Sequence, residues 1–130
     1  MYANSINAYK NQQIMTAPPE KLTLMLYDGA IRFVTESIRA MEQGDLNKSH
    51  NANLRAQDIV REFMCTLDMQ YDLSKNYMAL YDFICRLLVE GNVKKDKKQL
   101  EDAKGLLVEL REAWTQAITL ARQAHGGKAI

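Results

Sequence analysis

The groups that could do chemistry in this chain are few: His50 and His125, Cys65 and Cys85, and the glycine pair before a lysine at Gly126-Gly127-Lys128. Metal-binding carboxylate bundles rely on Glu-x-x-His. Here the residue three before His50 is Asn47 and the residue three before His125 is Arg122, so the motif is absent. Two cysteines cannot complete a tetrahedral zinc site, and no Cys-x-x-Cys-His haem attachment occurs. Each cysteine sits in an apolar helical pattern and is expected to be a buried free thiol rather than half of a disulfide. A phosphate loop needs a glycine five residues before Gly127 and a strand leading into it, and neither is present. His50, with Lys48 nearby, keeps one option, that of a phospho-accepting histidine in a four-helix phosphotransfer module. The following Asn51-Ala52-Asn53-Leu54 does not resemble the glycine-bearing pattern of such modules. No nucleophile–base pair stands out. The chain is therefore not expected to be an enzyme or to hold a metal or cofactor.

Charge excludes a further class. Seventeen basic and sixteen acidic residues leave a formal charge of +1, without the basic excess that phosphate neutralisation demands, so no nucleic acid partner is expected. The one basic run, Lys94, Lys95, Lys97 and Lys98, is interrupted by Asp96 and suits a solvated helix start. No apolar run approaches the roughly 18 residues of a membrane span, and the N-terminus lacks the pattern of a signal peptide, so a cytoplasmic protein without membrane insertion is expected.

The elements that must carry any function are helices. Pro18 and Pro19 fit a first helical turn, and Glu20 complements its dipole. From Leu22 to Met41 the stripe Leu24, Tyr27, Ile31, Val34, Ile38, Met41 is joined by the flank Leu22, Leu26, Ala30, Phe33. Together they span about 200°, twice a usual core-facing arc. Such a helix is either central in a bundle or keeps one flank for something else. Gly44 suits a left-handed C-cap and Asp45 the next N-cap. A second helix follows from Leu46 to Leu67 on Ser49, Ala52, Ala56, Ile59 and Phe63. A third starts near Asp72 with the stripe Leu73, Tyr77, Leu80, Ile84, Leu87 and Gly91, and stops at Gly91-Asn92. A fourth follows Leu100, Ala103, Leu107, Leu110, Trp114, Ala117, Ala121 and Ala124 to Gly126-Gly127, with Trp114 as a buried plug.

Short connections make neighbours antiparallel, so the expected fold is all-α, an up-down-up-down four-helix bundle over residues 18–125. Residues 126–130 are expected to be a flexible tail. Residues 1–17 form a short N-terminal arm, polar apart from anchors that include Ile6, Tyr9, Ile14 and Met15. The residues alone leave open whether this arm frays or docks on the bundle as a lid over an apolar groove.

Several segments carry a family resemblance: Asn7-Ala8-Tyr9-Lys10, Met15-Thr16-Ala17, and the run from Pro19-Glu20-Lys21-Leu22 through Tyr27-Asp28-Gly29. Further along come Asn53-Leu54-Arg55-Ala56-Gln57-Asp58-Ile59, Tyr81-Asp82-Phe83, Arg86-Leu87-Leu88-Val89-Glu90-Gly91-Asn92 and Glu109-Leu110-Arg111-Glu112-Ala113-Trp114. Over residues 7–122 the chain resembles the flagellin-specific export chaperones, the FliS family. It departs from them at Pro18, where a serine-like cap is frequent, and at Gly91, where alanine is common.

The resemblance implies a non-enzymatic cytosolic chaperone. It would bind the C-terminal segment of flagellin, prevent premature polymerisation and support delivery to the flagellar export gate, with a regulatory protein as a further partner. Client binding or lid contact is expected at Ile6, Tyr9, Ile14, Met15, Leu22, Leu24, Leu26 and Tyr27. A client-free bundle with an uncovered groove could pair as a homodimer. The alternative class is a signalling module, acting through His50 or as a regulatory adaptor.

Overall fold

Four helices make up nearly all of residues 19–129, the range described by the computed structural model, with side chains described for residues 20–124. They are α1 (Pro19–Glu42), α2 (Leu46–Thr66), α3 (Asp72–Lys94) and α4 (Lys97–Ala129). Pro19 takes the first helical position, where no N–H is needed. The end of α1 is set locally. Gly44 adopts φ +78°, the Asp45 N–H reaches Ala40 O at 2.9 Å, and the Gly44 N–H reaches Met41 O at 3.1 Å, closing a Schellman turn. Asp45 then caps α2 by accepting from the Lys48 N–H at 3.1 Å.

Each helix packs against two others, α1 and α3 both against α2 and α4. With the short connections this makes an antiparallel up-down-up-down bundle. Its core joins Tyr27, Ala30 and Val34 of α1 to Ile59, Val60 and Phe63 of α2, Ile84 and Leu88 of α3, and Leu100 and Leu107 of α4. Small residues bring α1 and α2 close: Ser37 Oγ donates to Ser49 O at 2.8 Å, and Ser49 Oγ donates to Ser37 O at 2.8 Å. The wide apolar arc of α1 is used by two neighbours at once, and none of the exposed large hydrophobic side chains lies on α1.

The pattern misplaces several features. Helix α3 continues past Gly91-Asn92 to Lys94 and ends where Lys95 enters the left-handed region at φ 53°. Its buried face is Ser74, Tyr81, Ile84, Cys85, Leu88, Gly91 and Asn92. Of the expected stripe, Ile84 and Gly91 lie on this face, Tyr77, Leu80 and Leu87 are half-buried and Leu73 is exposed, so the stripe straddles the edge of the core face. Cys65 is an exposed free thiol, while Cys85 is buried, which pushes its thiol pKa up.

At the chain's end, α4 runs through Gly126-Gly127 to Ala129 where a tail is expected. Glycine weakens a helix by about 1 kcal/mol without forbidding it, and no proline stops the elongation. Among the described residues no helix lies beside the projecting part, because α1 begins beside Trp114. Ala117, Ala121 and Ala124 are therefore exposed although they continue the stripe.

Two amides on the buried face of α2, Asn53 and Gln57, carry a polar seam to α3. Arg61 Nη2 donates to Gln57 Oε1 at 3.0 Å, and Gln57 Nε2 donates to Asn53 Oδ1 at 2.6 Å. Asn53 Nδ2 ends the ladder on Leu88 O at 3.1 Å. Each step satisfies a group that would otherwise be stranded in the core.

Gly91 is where α3 meets the start of α4. A Cβ there would stand 2.7 Å from Leu100 Cδ2 and 3.2 Å from Asp96 O, and Leu100 is fully buried. Alanine would gain about 1 kcal/mol of helix propensity, but overpacking costs about 1–3 kcal/mol. Gly91→Ala should therefore destabilise by about 1 kcal/mol and lower the melting temperature by several degrees. A raised melting temperature would show that Leu100 repacks freely.

Candidate protein-docking surface

A mostly apolar concavity opens at the end of the bundle where α1 begins. It encloses about 470 Å³ and is lined by Thr23 and Tyr27 of α1, Phe63 and Leu67 of α2, Leu73, Tyr77 and Tyr81 of α3, and Leu110, Ala113, Trp114 and Ala117 of α4. Its inner wall is a ladder of rings. Tyr27 stacks on Phe63 at 4.5 Å, Phe63 on Tyr81 at 5.4 Å, and Tyr81 on Tyr77 at 6.1 Å. The Tyr27 and Tyr81 hydroxyls share a hydrogen bond of 2.6 Å. Burial raises both phenols above the usual tyrosine range, Tyr27 strongly, and for Tyr27 the bond to Tyr81 adds to the effect.

Helix α4 is pinned to α1 at this end. Trp114 Nε1 donates to Glu20 O at 2.8 Å, and Arg111 pairs with Asp28. Trp114 packs its ring on the core, as expected of a plug, but stays partly exposed and forms part of the cavity wall. Beside it a second concavity of about 460 Å³ lies between Glu20, Trp114, Ile118 and Ala121.

From the cavity an apolar strip runs along α3. Leu73, Tyr77, Leu80, Phe83 and Leu87 share one flank by helical register, within about 120°. Leu73 is 61% and Phe83 51% exposed, while Tyr77, Leu80 and Leu87 are half-buried against the core, so the strip is a partly exposed apolar flank. Sequence reasoning read most of these positions as the core stripe of α3. Their one distinguishing sign was the competing apolar line Tyr81, Ile84, Cys85, Leu88.

Of the residues expected to meet a client or lid, Ile6, Tyr9, Ile14 and Met15 lie outside the described residues. Leu22 and Leu24 are half-buried on the first turns of α1. Leu26 and Tyr27 belong to the core at 6% and 3% exposure, and Tyr27 reaches the cavity through its ring. His50 is exposed at the start of α2. Lys95 Nζ donates to Asn92 Oδ1 at 2.9 Å, which turns the Asn92 amide nitrogen toward His50 Nδ1 at 2.8 Å. Among the described residues no group of three or more metal-ligating side chains converges, and no helix is long and apolar enough to cross a membrane.

Known proteins resemble the chain along nearly its whole length. The family model described as "Flagellar protein FliS" matches residues 2–121. The flagellar secretion chaperone FliS of Bacillus subtilis is 36% identical over 128 residues, covering 98% of this chain and 96% of the relative. Its namesake in Vibrio cholerae is 32% identical over 118 residues, covering 86% and 87%. That of Salmonella typhimurium is 31% identical over 121 residues, covering 88% and 90%.

Proposed function

The chain belongs to the FliS family of flagellar proteins, and from that premise we propose that it is the cytoplasmic chaperone that holds the C-terminal segment of flagellin until export. A role as a chaperone in flagellar secretion is that of the family. The finer reading is supported above all by the ring-lined cavity together with the apolar flank of α3 that carries Leu73, Tyr77, Leu80, Phe83 and Leu87. A flagellin segment that is helical in the filament exposes an apolar stripe when alone. A strip and cavity of this kind receive such a stripe by helix-in-groove contact. Ordering the client costs several kcal/mol, which moderates affinity and helps release at the export gate. No step of this function makes or breaks a covalent bond.

In this reading residues 1–17 are a lid. They lead directly into α1, whose Glu20 and Thr23 line the two concavities, so their anchors Ile6, Tyr9, Ile14 and Met15 have a short path to the apolar surface. Client and lid compete for it, and a protein lacking both is expected to pair with a second copy.

Calorimetry with the flagellin C-terminal segment tests the proposal. Binding at micromolar concentration with a markedly negative heat-capacity change is expected. Leu73→Asp with Phe83→Asp should weaken it at least about tenfold, because both side chains are exposed anchors whose loss leaves the core intact. Deleting residues 1–17 should raise dye binding and self-association. If no flagellin segment binds, or the double variant binds as tightly as the parent, the proposal fails.

A further inference from the structure

On the opposite side of the bundle, the outer groove between α1 and α2 carries a charge pattern that the client reading leaves unused. A concavity of about 520 Å³ is lined by Arg32, Thr35, Glu36, Arg39, Gln43 and Lys48. Across from Arg32, Arg55 of α2 joins it over one ring. The guanidinium carbons of Arg32 and Arg55 lie 5.2 Å and 5.6 Å from the centre of Phe33. Arg32 and Arg39 are seven residues apart on α1, and Lys48 and Arg55 are seven apart on α2. Because the helices are antiparallel, this makes two rungs of paired cations, Arg32 with Arg55 and Arg39 with Lys48. The rungs are separated by about 10.5 Å, two helical turns.

All four cations are exposed, and among the described residues none of them takes part in an ion pair. Elsewhere on the surface Lys97, Lys98, Arg86 and Arg111 each have a carboxylate partner within 4.0 Å. Glu36 stands between the rungs, four residues after Arg32 and three before Arg39, likewise without a partner.

We propose that this groove docks an acidic helical segment of a second protein, one carrying carboxylates seven residues apart with a basic side chain between them. Seven residues of a helical partner span the same two turns as the rungs, so both carboxylates can meet cation pairs at once. The intervening lysine or arginine then meets Glu36, which would repel a uniformly acidic helix. Phe33, half-buried beneath Arg32 and Arg55, gives the first rung an apolar floor that limits hydration of its ion pair. A polyanion is the poorer fit. Glu36 sits in the middle of the groove, and a chain of net charge +1 offers little long-range attraction. The occupant is distinct from the flagellin client, and the inference stands whether or not that reading holds.

The probe is a labelled alanine-rich helical peptide with glutamates seven residues apart and a lysine four residues after the first, followed by fluorescence anisotropy against the full chain. A scrambled peptide of the same composition, an oligothymidine and a phosphatidylserine vesicle run in parallel. The patterned peptide should bind about fivefold tighter than the scrambled one, the discrimination expected of two to three exposed ion pairs formed in register. Arg32→Glu with Arg55→Glu should abolish that difference. So should Arg39→Glu with Lys48→Glu, which leaves the Phe33 contacts untouched and guards against a folding artefact in the first pair. Glu36→Lys should shift the preference toward a peptide whose central lysine is replaced by glutamate. Equal affinity for patterned and scrambled peptides overturns the proposal, as does tighter binding of the oligonucleotide or the vesicle.

Discussion

Phe63→Ala should lower the unfolding free energy by about 3–5 kcal/mol, a large part of the roughly 5–15 kcal/mol that holds a domain of this size together. Phe63 is 7% exposed and lies between the rings of Tyr27 at 4.5 Å and Tyr81 at 5.4 Å. Its loss removes two stacking contacts and leaves a void that cannot simply collapse. The flanking tyrosines are tied to each other by the 2.6 Å hydroxyl bond, which restrains both rings from moving into the space. A thermal melt should fall by about 10–20 °C. The same truncation widens the concavity proposed to take the client, so binding of the flagellin segment should weaken even at temperatures where the variant is folded. A loss below about 1 kcal/mol would mean that the ladder is not a structural element.

Alkaline pH should destabilise the protein steeply. Burial raises the pKa of both Tyr27 and Tyr81 above the phenol value of about 10 that they regain on unfolding. Below that value both states keep the protons, and stability is unaffected. Above it the unfolded chain releases protons that the native state retains, so the unfolded state binds fewer protons and stability falls with rising pH. Each phenol contributes up to about 1.4 kcal/mol per pH unit until its native form also ionises. The urea midpoint should therefore be flat to about pH 9 and drop sharply beyond about pH 10. Lysine deprotonation acts in the same range, because Glu42 and Asp102 hold the Lys97 and Lys98 ammonium groups above their usual pKa. Tyr27→Phe with Tyr81→Phe separates the causes. It removes both hydroxyls together and leaves neither unpaired, so it should be nearly neutral at pH 7 and flatten most of the alkaline slope. An unchanged slope would assign the effect to the lysines.

Four helices, their order and their antiparallel packing follow from local physics that any stretch of this chain carries. The three/four spacing of apolar residues, Pro19 at a helix start, Gly44 at φ +78° and the Asp45 cap need no distant partner, and each is legible one segment at a time. The family resemblance is legible for the same reason, since it rests on ordered local motifs. Which flank of a helix meets the core is a different matter, because two apolar lines lie side by side on α3. Only the neighbours α2 and α4 choose between them. The Tyr27 hydroxyl finds Tyr81, and Asn53 finds Leu88 O, so the line Tyr81, Ile84, Cys85, Leu88 turns inward. Leu73, Leu80, Phe83 and Leu87 are left to form the docking strip. The same holds for α4, whose stripe continues unbroken to Ala124 while its burial ends near Trp114, beside the start of α1. Periodicity records that a side chain is apolar. What it is buried against depends on the relative lengths and rotations of helices far apart in sequence, and only the folded bundle sets those.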